Sequence, residues 1–581
     1  MRTIPRGRPL VIALATATVA AGLTATALTA SAAGAGCSVA YTVTSQWSGG
    51  FGADVQVTNL GDAVDGWTLT WSFAPGQSVT QAWNATVAQS GPAVSARNVS
   101  YNAVVAAGAT VGFGFNGAWT TANPVPSSFA LNGVTCTGTP SSSTPSSPAS
   151  SPGASPSASK SASAGPSPSV KPSPSASPTP AGPVVAFPGA VGFGAAATGG
   201  RGGSVYHVTN LNDSGSGSFR DAVGGSNRIV VFDVGGYVNL SSAVAVKSNL
   251  TIAGQTAPGG GIGIMGREVS FANSTNVIVR DVRFRQGDLD PDNEKSGINL
   301  YNGGNLIFDH VSIEFAQWNN IDSVGATNVT VQYSISADPI GQQFAAHTET
   351  GPYTWYRDLF ANAHNRCPLA KANTQYVNNV VYDYQAGYTA GNSSGHFDHD
   401  VIGNYFITGP RTTNASNAYY QMGNQSVYNS GNVIDSNKDG VLNGSSLGIG
   451  GGATALAGPW STATASIPAL SAAAAYAEVT AKAGALPRDQ VDTLVVADVK
   501  SLGKSGDLWA HQTGTGLGNS GYGTIAGGTP PADADRDGMP DAWETAHGLN
   551  PDSASDAGGD FDHTGYSNVE KYLNGLLDGS Y

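Results

Sequence analysis

The chain has 581 residues, with 26 Lys and Arg against 39 Asp and Glu, for a net charge of −13. Charged residues are 11% of the total, against roughly 25% for an ordinary soluble domain, which excludes the extended positive face of a nucleic-acid binder. Three cysteines permit one bridge and one free thiol, too few for a disulfide scaffold.

In chain order, Arg2, Arg6 and Arg8 precede an apolar run from Pro9 to Leu28 and then Ala30-Ser31-Ala32. That is the pattern of a secretory signal peptide over 1–32. No later stretch approaches the length of a membrane span, so a secreted, extracellular, monomeric protein without membrane or nucleic-acid partners is expected. Residues 33–136 alternate polar and apolar, as in Trp67-Thr-Leu-Thr-Trp71-Ser-Phe73, between Gly-rich turns, which predicts short antiparallel strands and a β-sandwich. Cys37 and Cys136 can bridge its first and last strands after export. Trp67, Leu69, Trp71 and Phe73 share one face and read as core. Trp47, Trp83 and Tyr101 stand among Ser, Gly and Asn, where flat rings can stack on sugar faces. Residues 137–183 are Ser, Pro, Thr, Ala and Gly apart from Val170 and two lysines, a linker composition that cannot bury a core.

The phrases Cys37-Ser-Val-Ala-Tyr41, Gln46-Trp47, Gly66-Trp67-Thr-Leu-Thr70, Gln81-Ala-Trp83-Asn84 and Gly112-Phe-Gly-Phe-Asn116-Gly117 resemble a family 2 carbohydrate-binding module. The resemblance implies cellulose binding, with Trp47, Trp83 and Tyr101 as the platform aromatics.

From residue 184 strand-like phrases return, with starts at Asn249, Asn276, Asn305, Asn328, Tyr353, Thr374 and Phe397, hence steps of 27, 29, 23, 25, 21 and 23 residues. Such a period, built of strands, predicts a parallel β-helix for 184–530. Asn at the corners tolerates a left-handed turn and can form ladders, a structural role. Residues able to do chemistry cluster at Asp288, Asp290, Asp292 and Glu294 with Asp309 and Asp322 downstream, and at His364 through Lys371. Carboxylates on adjacent coils could converge on a hard cation, while Arg366 and Lys371 could hold a carboxylated sugar.

Phe187-Pro-Gly-Ala-Val-Gly-Phe-Gly194, Ser218-Phe-Arg-Asp-Ala222, Ile252-Ala-Gly-Gln-Thr-Ala-Pro258 and Phe308-Asp-His310 resemble the polysaccharide lyase family 1 pectate lyases. The resemblance implies an all-β protein with a right-handed parallel β-helix. It also implies calcium-assisted β-elimination at 4-linked galacturonate. The family's Arg-x-Pro-x-x-Arg motif falls on Arg366 through Lys371, making Arg366 the catalytic base and Lys371 a substrate-binding cation that lacks arginine's fork. His347 is the counterpart of a further substrate-binding base. Of the four groove calcium ligands the family implies, Glu294 and Asp322 are acids whereas Ser296 and Trp318 are not, so Asp288, Asp290 or Asp292 could complete the site by loop movement, or the ion could arrive with the substrate. Cys367 reads as a buried thiol, since no partner for nucleophilic chemistry accompanies it.

Between Asp533 and Asp562 lie nine acids and one base. Asp533, Asp535, Asp537, Asp541 and Glu544, with Gly538 at the turn, have the spacing of a calcium loop, and a weaker copy follows at Asp560, Asp562, Thr564, Gly565 and Glu570. Segment 531–581 resembles EF-hand or dockerin-like calcium segments, implying a structural ion. A secreted pectate lyase tethered to cellulose is the expected function. The alternatives are a lyase of another acidic polysaccharide such as a rhamnogalacturonan or glucuronan, a β-helix glycoside hydrolase working through paired carboxylates, and a wall-binding protein without activity.

Overall fold

The computed structural model describes residues 36–136, apart from 48, 84, 99–101, 107 and 121, together with 184–289 and 295–578. Two compact units divide at Lys171–Pro172. The signal-peptide and linker assignments lie outside the described residues.

In the first unit, one four-stranded antiparallel sheet runs in the order Cys37–Trp47, Gly50–Asn59, Thr110–Trp119, Gln77–Trp83. A five-stranded one runs Val134–Thr135, Phe129–Leu131, Thr68–Ser72, Ala93–Arg97, Thr86–Ser90. The alternation read from the sequence is the cause: along Thr68–Ser72 every second side chain turns inward and strand geometry sends them all to one face. Trp67, Leu69, Trp71 and Phe73 are buried with Phe51, Phe113 and Phe115, and Trp71 stacks on Phe115 at 5.9 Å. Cys37 is bonded to Cys136 across 99 residues of sequence. Because this bridge closes almost the whole module, Cys136→Ser should destabilise the module by about 2–5 kcal/mol, seen as a lower melting transition of the module; an unchanged transition would contradict this.

The second unit is a parallel β-helix. One long sheet stacks Ser204–Val208, Arg228–Phe232, Leu250–Ala253, Thr275–Arg280, Gly304–Asp309 and the following coils through Ser426–Ser430. A second, ten-stranded sheet carries the next side of each coil, including Val282–Arg285, Ser312–Glu314 and Ile335–Ala337. A third row joins Val269–Ser270, Ile298–Asn299 and the leading halves of Asn319–Gln332 and Phe344–Tyr356. Leu250, Val277, Leu306, Val329 and Tyr353 pair in succession and fill the interior with apolar side chains. Asn249, Asn276, Asn305 and Asn328 have φ between 52° and 58°, the left-handed region that Asn enters more readily than other non-Gly residues. Each side-chain amide donates to the Asn one coil earlier, at 3.0–3.4 Å.

Two helices, Ala472–Lys482 and Gln490–Lys500, cover the second sheet. They start where Ser471 and Asp489 accept N–H bonds from Ala474 and Asp492, and alanine propensity favours the first of them. Val479, Val495 and Val499 pack on Ile335, Leu359 and Val380. Beneath them Arg285, wholly buried, pairs with Glu314 and Asp492 at 2.9 Å and with Asp489. Residues 539–573 place Met539, Trp543, Val569, Tyr572 and Leu573 on Ile229, Val231 and Ala253 of the first coils. No helix among the described residues is long and apolar enough to cross a membrane.

Candidate active site

The third row of strands carries a polar line. Parallel register sets Asn299, Asp322 and His347 side by side on consecutive coils, roughly 4.8 Å apart by strand spacing. Period-2 alternation then brings Glu349 to the same face as His347, with Lys371 its partner on the next coil. Tyr301 Oη donates to Asp322 Oδ2 at 2.9 Å, His347 Nδ1 lies 3.0 Å from Asp322 Oδ1, and His347 Nε2 lies 3.0 Å from Glu349 Oε1. Lys371 Nζ donates to the same Glu349 oxygen at 3.0 Å. Burial pushes the pKa of Glu349 up, but the bonds from Lys371 and His347 outweigh it and leave it below the usual value. The Tyr301 phenol is pushed up to about 12 by burial and by the Asp322 carboxylate.

Arg366 lies beside this line. Its backbone is left-handed, φ 67°, with its N–H donating to Asn365 Oδ1 at 2.6 Å. Its Nη1 donates to Asn319 Oδ1 at 2.9 Å, and the guanidinium lies over Phe344, 3.8 Å from the ring centroid, with Trp318 at 5.8 Å. Burial lowers its pKa, while Asp322 and Glu349 act in the opposite direction. A desolvated arginine within reach of two carboxylates, with one cationic lysine on the same face, can receive an anionic sugar and move a proton. Cys367, next in sequence, is buried with its thiol pushed up by burial, as a structural thiol should be.

The groove acids are arranged differently from the sequence expectation. Asp322 is present, but both its oxygens are already bonded. The Asp288 carboxylate pairs with His511, and its N–H donates to Gln512; among the described residues it makes no contact with Asp322. Ser296 donates its N–H to Glu268 Oε2 at 3.1 Å, and Trp318 joins the aromatic bed under Arg366. Glu294 lies outside the described residues, as do Tyr101 and the side chains of Trp47 and Trp83. Glu268, Tyr301 and Glu349 escaped the sequence reading. Only Glu349 had a readable signal, two residues after His347 and so on the same strand face.

In the C-terminal segment, carboxylate oxygens of Asp533, Asp535 and Asp537 lie within 4.8 Å of one another, as do those of Asp537, Glu544 and Asp556. Burial first and neighbouring carboxylates second push both Asp537 and Glu544 up to about 7. Asp541 is not among them: its Oδ1 accepts the Ala534 N–H at 2.7 Å, where it ties down the loop, and Asp556 stands in its place. The second loop departs further. Lys571 Nζ contacts Asp560 and lies 2.6 Å from Asp562, and Glu570 binds Arg201 at 2.8 Å.

Residues 37–136 match the family model for a cellulose-binding domain. Over 412 residues the chain is 40% identical to a probable pectate lyase C of Aspergillus terreus, covering 68% of this chain and 95% of that protein. Over 103 residues it is 54% identical to the endoglucanase CelA of Streptomyces lividans, covering 18% of this chain and 22% of that one. A solved thermostable pectate lyase aligns over 52% of this chain and 97% of its own at 15% identity, with a TM-score of 0.41.

Proposed function

Because this chain belongs to the pectate lyases and carries a cellulose-binding module, we propose that Arg366 is the base of its β-elimination and that Lys371 and His347 hold the uronate carboxylate. The observation that carries this assignment is a guanidinium desolvated over Phe344 and anchored on Asn319, beside the line Asp322–His347–Glu349–Lys371. The C5–H proton passes to Arg366, the C5–H electrons form the C4–C5 double bond, and the C4–O bond breaks with its electron pair going to the departing oxygen. Lys371 supplies positive charge, and the His347 ring a hydrogen-bonding edge, where the carboxylate gains enolate character. Among the described residues the groove does not form a calcium cage: two of the implied ligand positions are Ser296 and Trp318, and Asp322 is satisfied by Tyr301 and His347.

The test is the ultraviolet absorbance of unsaturated product released from polygalacturonate. New reducing ends without absorbance would instead mean hydrolysis. Lys371→Ala should raise KM by about tenfold or more, since a hydrogen bond to a charged group contributes about 1.5–3 kcal/mol, with a smaller change in kcat. A kcat loss at constant KM would take Lys371 out of the binding role. The binding module would hold the enzyme on cellulose through Trp47, Trp83 and Tyr101, and the 1–32 signal would export it. Trp47→Ala with Trp83→Ala should abolish retention on cellulose while leaving turnover of soluble polygalacturonate intact; retention by the double variant would remove these rings from the binding face.

A further inference from the structure

We propose that one divalent cation of the calcium class binds among Asp533, Asp535, Asp537, Glu544 and Asp556 and locks the C-terminal segment onto the first coils of the β-helix. Glu544 is wholly buried, and neither of its carboxylate oxygens has a hydrogen-bond partner. Asp537, 2% exposed, leaves Oδ2 unpartnered, and Asp556 leaves Oδ1 unpartnered, with oxygens of all three residues converging within 4.8 Å. A buried carboxylate without a donor or cation is expensive, and three facing one another are more so.

The loop backbone is folded for an ion. Asp533 accepts the N–H groups of Asp537 and Gly538 at 3.2 and 3.0 Å, Met539 donates to Asp537 Oδ1 at 2.9 Å, and Gly538 turns at φ 89°. These bonds leave Asp537 Oδ2 and both oxygens of Asp535 and Glu544 without partners, and the two converging groups of carboxylates share Asp537. Five carboxylates match a hard cation that takes six to eight oxygens.

The neighbouring loop shows what happens when the chain supplies its own cation. There the Lys571 ammonium sits on Asp560 and Asp562, and Glu570, the last ligand by spacing, is held by Arg201. In the first loop the one base, Arg536, turns away to Asp233 at 3.5 Å. One loop is thus closed by an internal ammonium and the other requires an ion from solution, so the segment takes one ion and not two.

That ion would act on docking. His207 of the first coil bridges Asp233 Oδ1 at 2.8 Å and the carbonyl oxygen of Arg536, inside the loop, at 3.1 Å. Trp543, adjoining Glu544, is part of the apolar contact with Ile229, Val231 and Ala253.

Terbium(III), bound to the full chain after chelation and excited through the indoles, reports the site because Trp543 adjoins it. Glu544→Gln and Asp556→Asn should each weaken terbium binding by about tenfold or more, and calcium should displace the ion. Asp541→Asn, whose amide oxygen can still accept from Ala534, should leave the affinity unchanged. Atomic emission should count one calcium fewer in Glu544→Gln than in the parent, and chelation should open residues 531–578 to protease. Equal terbium binding by Glu544→Gln and the parent would overturn the site; a greater loss in Asp541→Asn than in Asp556→Asn would overturn its ligand set. Two ions lost with Glu544→Gln would overturn the stoichiometry. All these readouts are independent of turnover in the groove.

Discussion

Arg366→Ala should lower the release of unsaturated product from polygalacturonate by about 10²–10⁴-fold, the range contributed by a positioned general base, with little change in melting temperature. The stability expectation follows from its surroundings: the side chain is only partly buried, makes one hydrogen bond to Asn319, and lies on a Phe344 ring that packs without it. The activity expectation follows from desolvation. Free guanidinium stays protonated throughout the neutral range, and burial moves Arg366 downward from that limit. A base acts in its deprotonated form, whose fraction grows as pH rises, so kcat/KM should climb through the alkaline range in the parent enzyme, and Arg366→Lys should alter the midpoint of that climb. If Arg366→Ala kept the parental rate and pH profile, the base would have to be sought elsewhere on the line, with His347 next in position.

The largest effect on stability is expected at Arg285. Arg285→Met should cost about 3–5 kcal/mol, because removing one partner from a buried ion cluster leaves the others as uncompensated charges. Glu314, Asp489 and Asp492 face Arg283 and Arg285, so three acids meet two guanidinium groups. Burial already pushes Glu314 well above the usual carboxylate range, with Asp492 adding to it while Arg285 pulls it down. Without Arg285 that compensation is lost, and the helix Gln490–Lys500, which carries Asp492, loses one of its ties to the second sheet. Denaturant titration of the full chain would read this as an early transition of the β-helix unit. A cost below about 1 kcal/mol would mean that methionine packing replaces the ion pairs, as it can when a buried cluster is exchanged as a whole.

Much of this architecture could be read in the sequence because it repeats. Strand alternation placed Trp67, Leu69, Trp71 and Phe73 in one core, and the Asn-initiated phrases announced coil corners whose left-handed backbone and amide ladder follow from that one residue type. Other features arise from proximity between distant residues, which no local pattern encodes. Asp556 enters the acidic cluster from outside the loop motif, Lys571 occupies the second loop from the following helix, and Glu268 meets Ser296 across a coil. The two helices over the second sheet lay beyond the repeating phrases, and their amphipathic faces have meaning only against Ile335, Leu359 and Val380. Spacing alone favoured Asp541 as an ion ligand, whereas its carboxylate caps a backbone N–H.

The apolar seam between Ile229, Val231 and Ala253 and residues 539–573 also orders events in time. A chain emerging from the ribosome makes its first coils hundreds of residues before the side chains that cover them exist, so those coils remain sticky and unfinished throughout synthesis. The seam closes only once residues 539–573 have been made, and until then the first coils present an uncovered apolar strip.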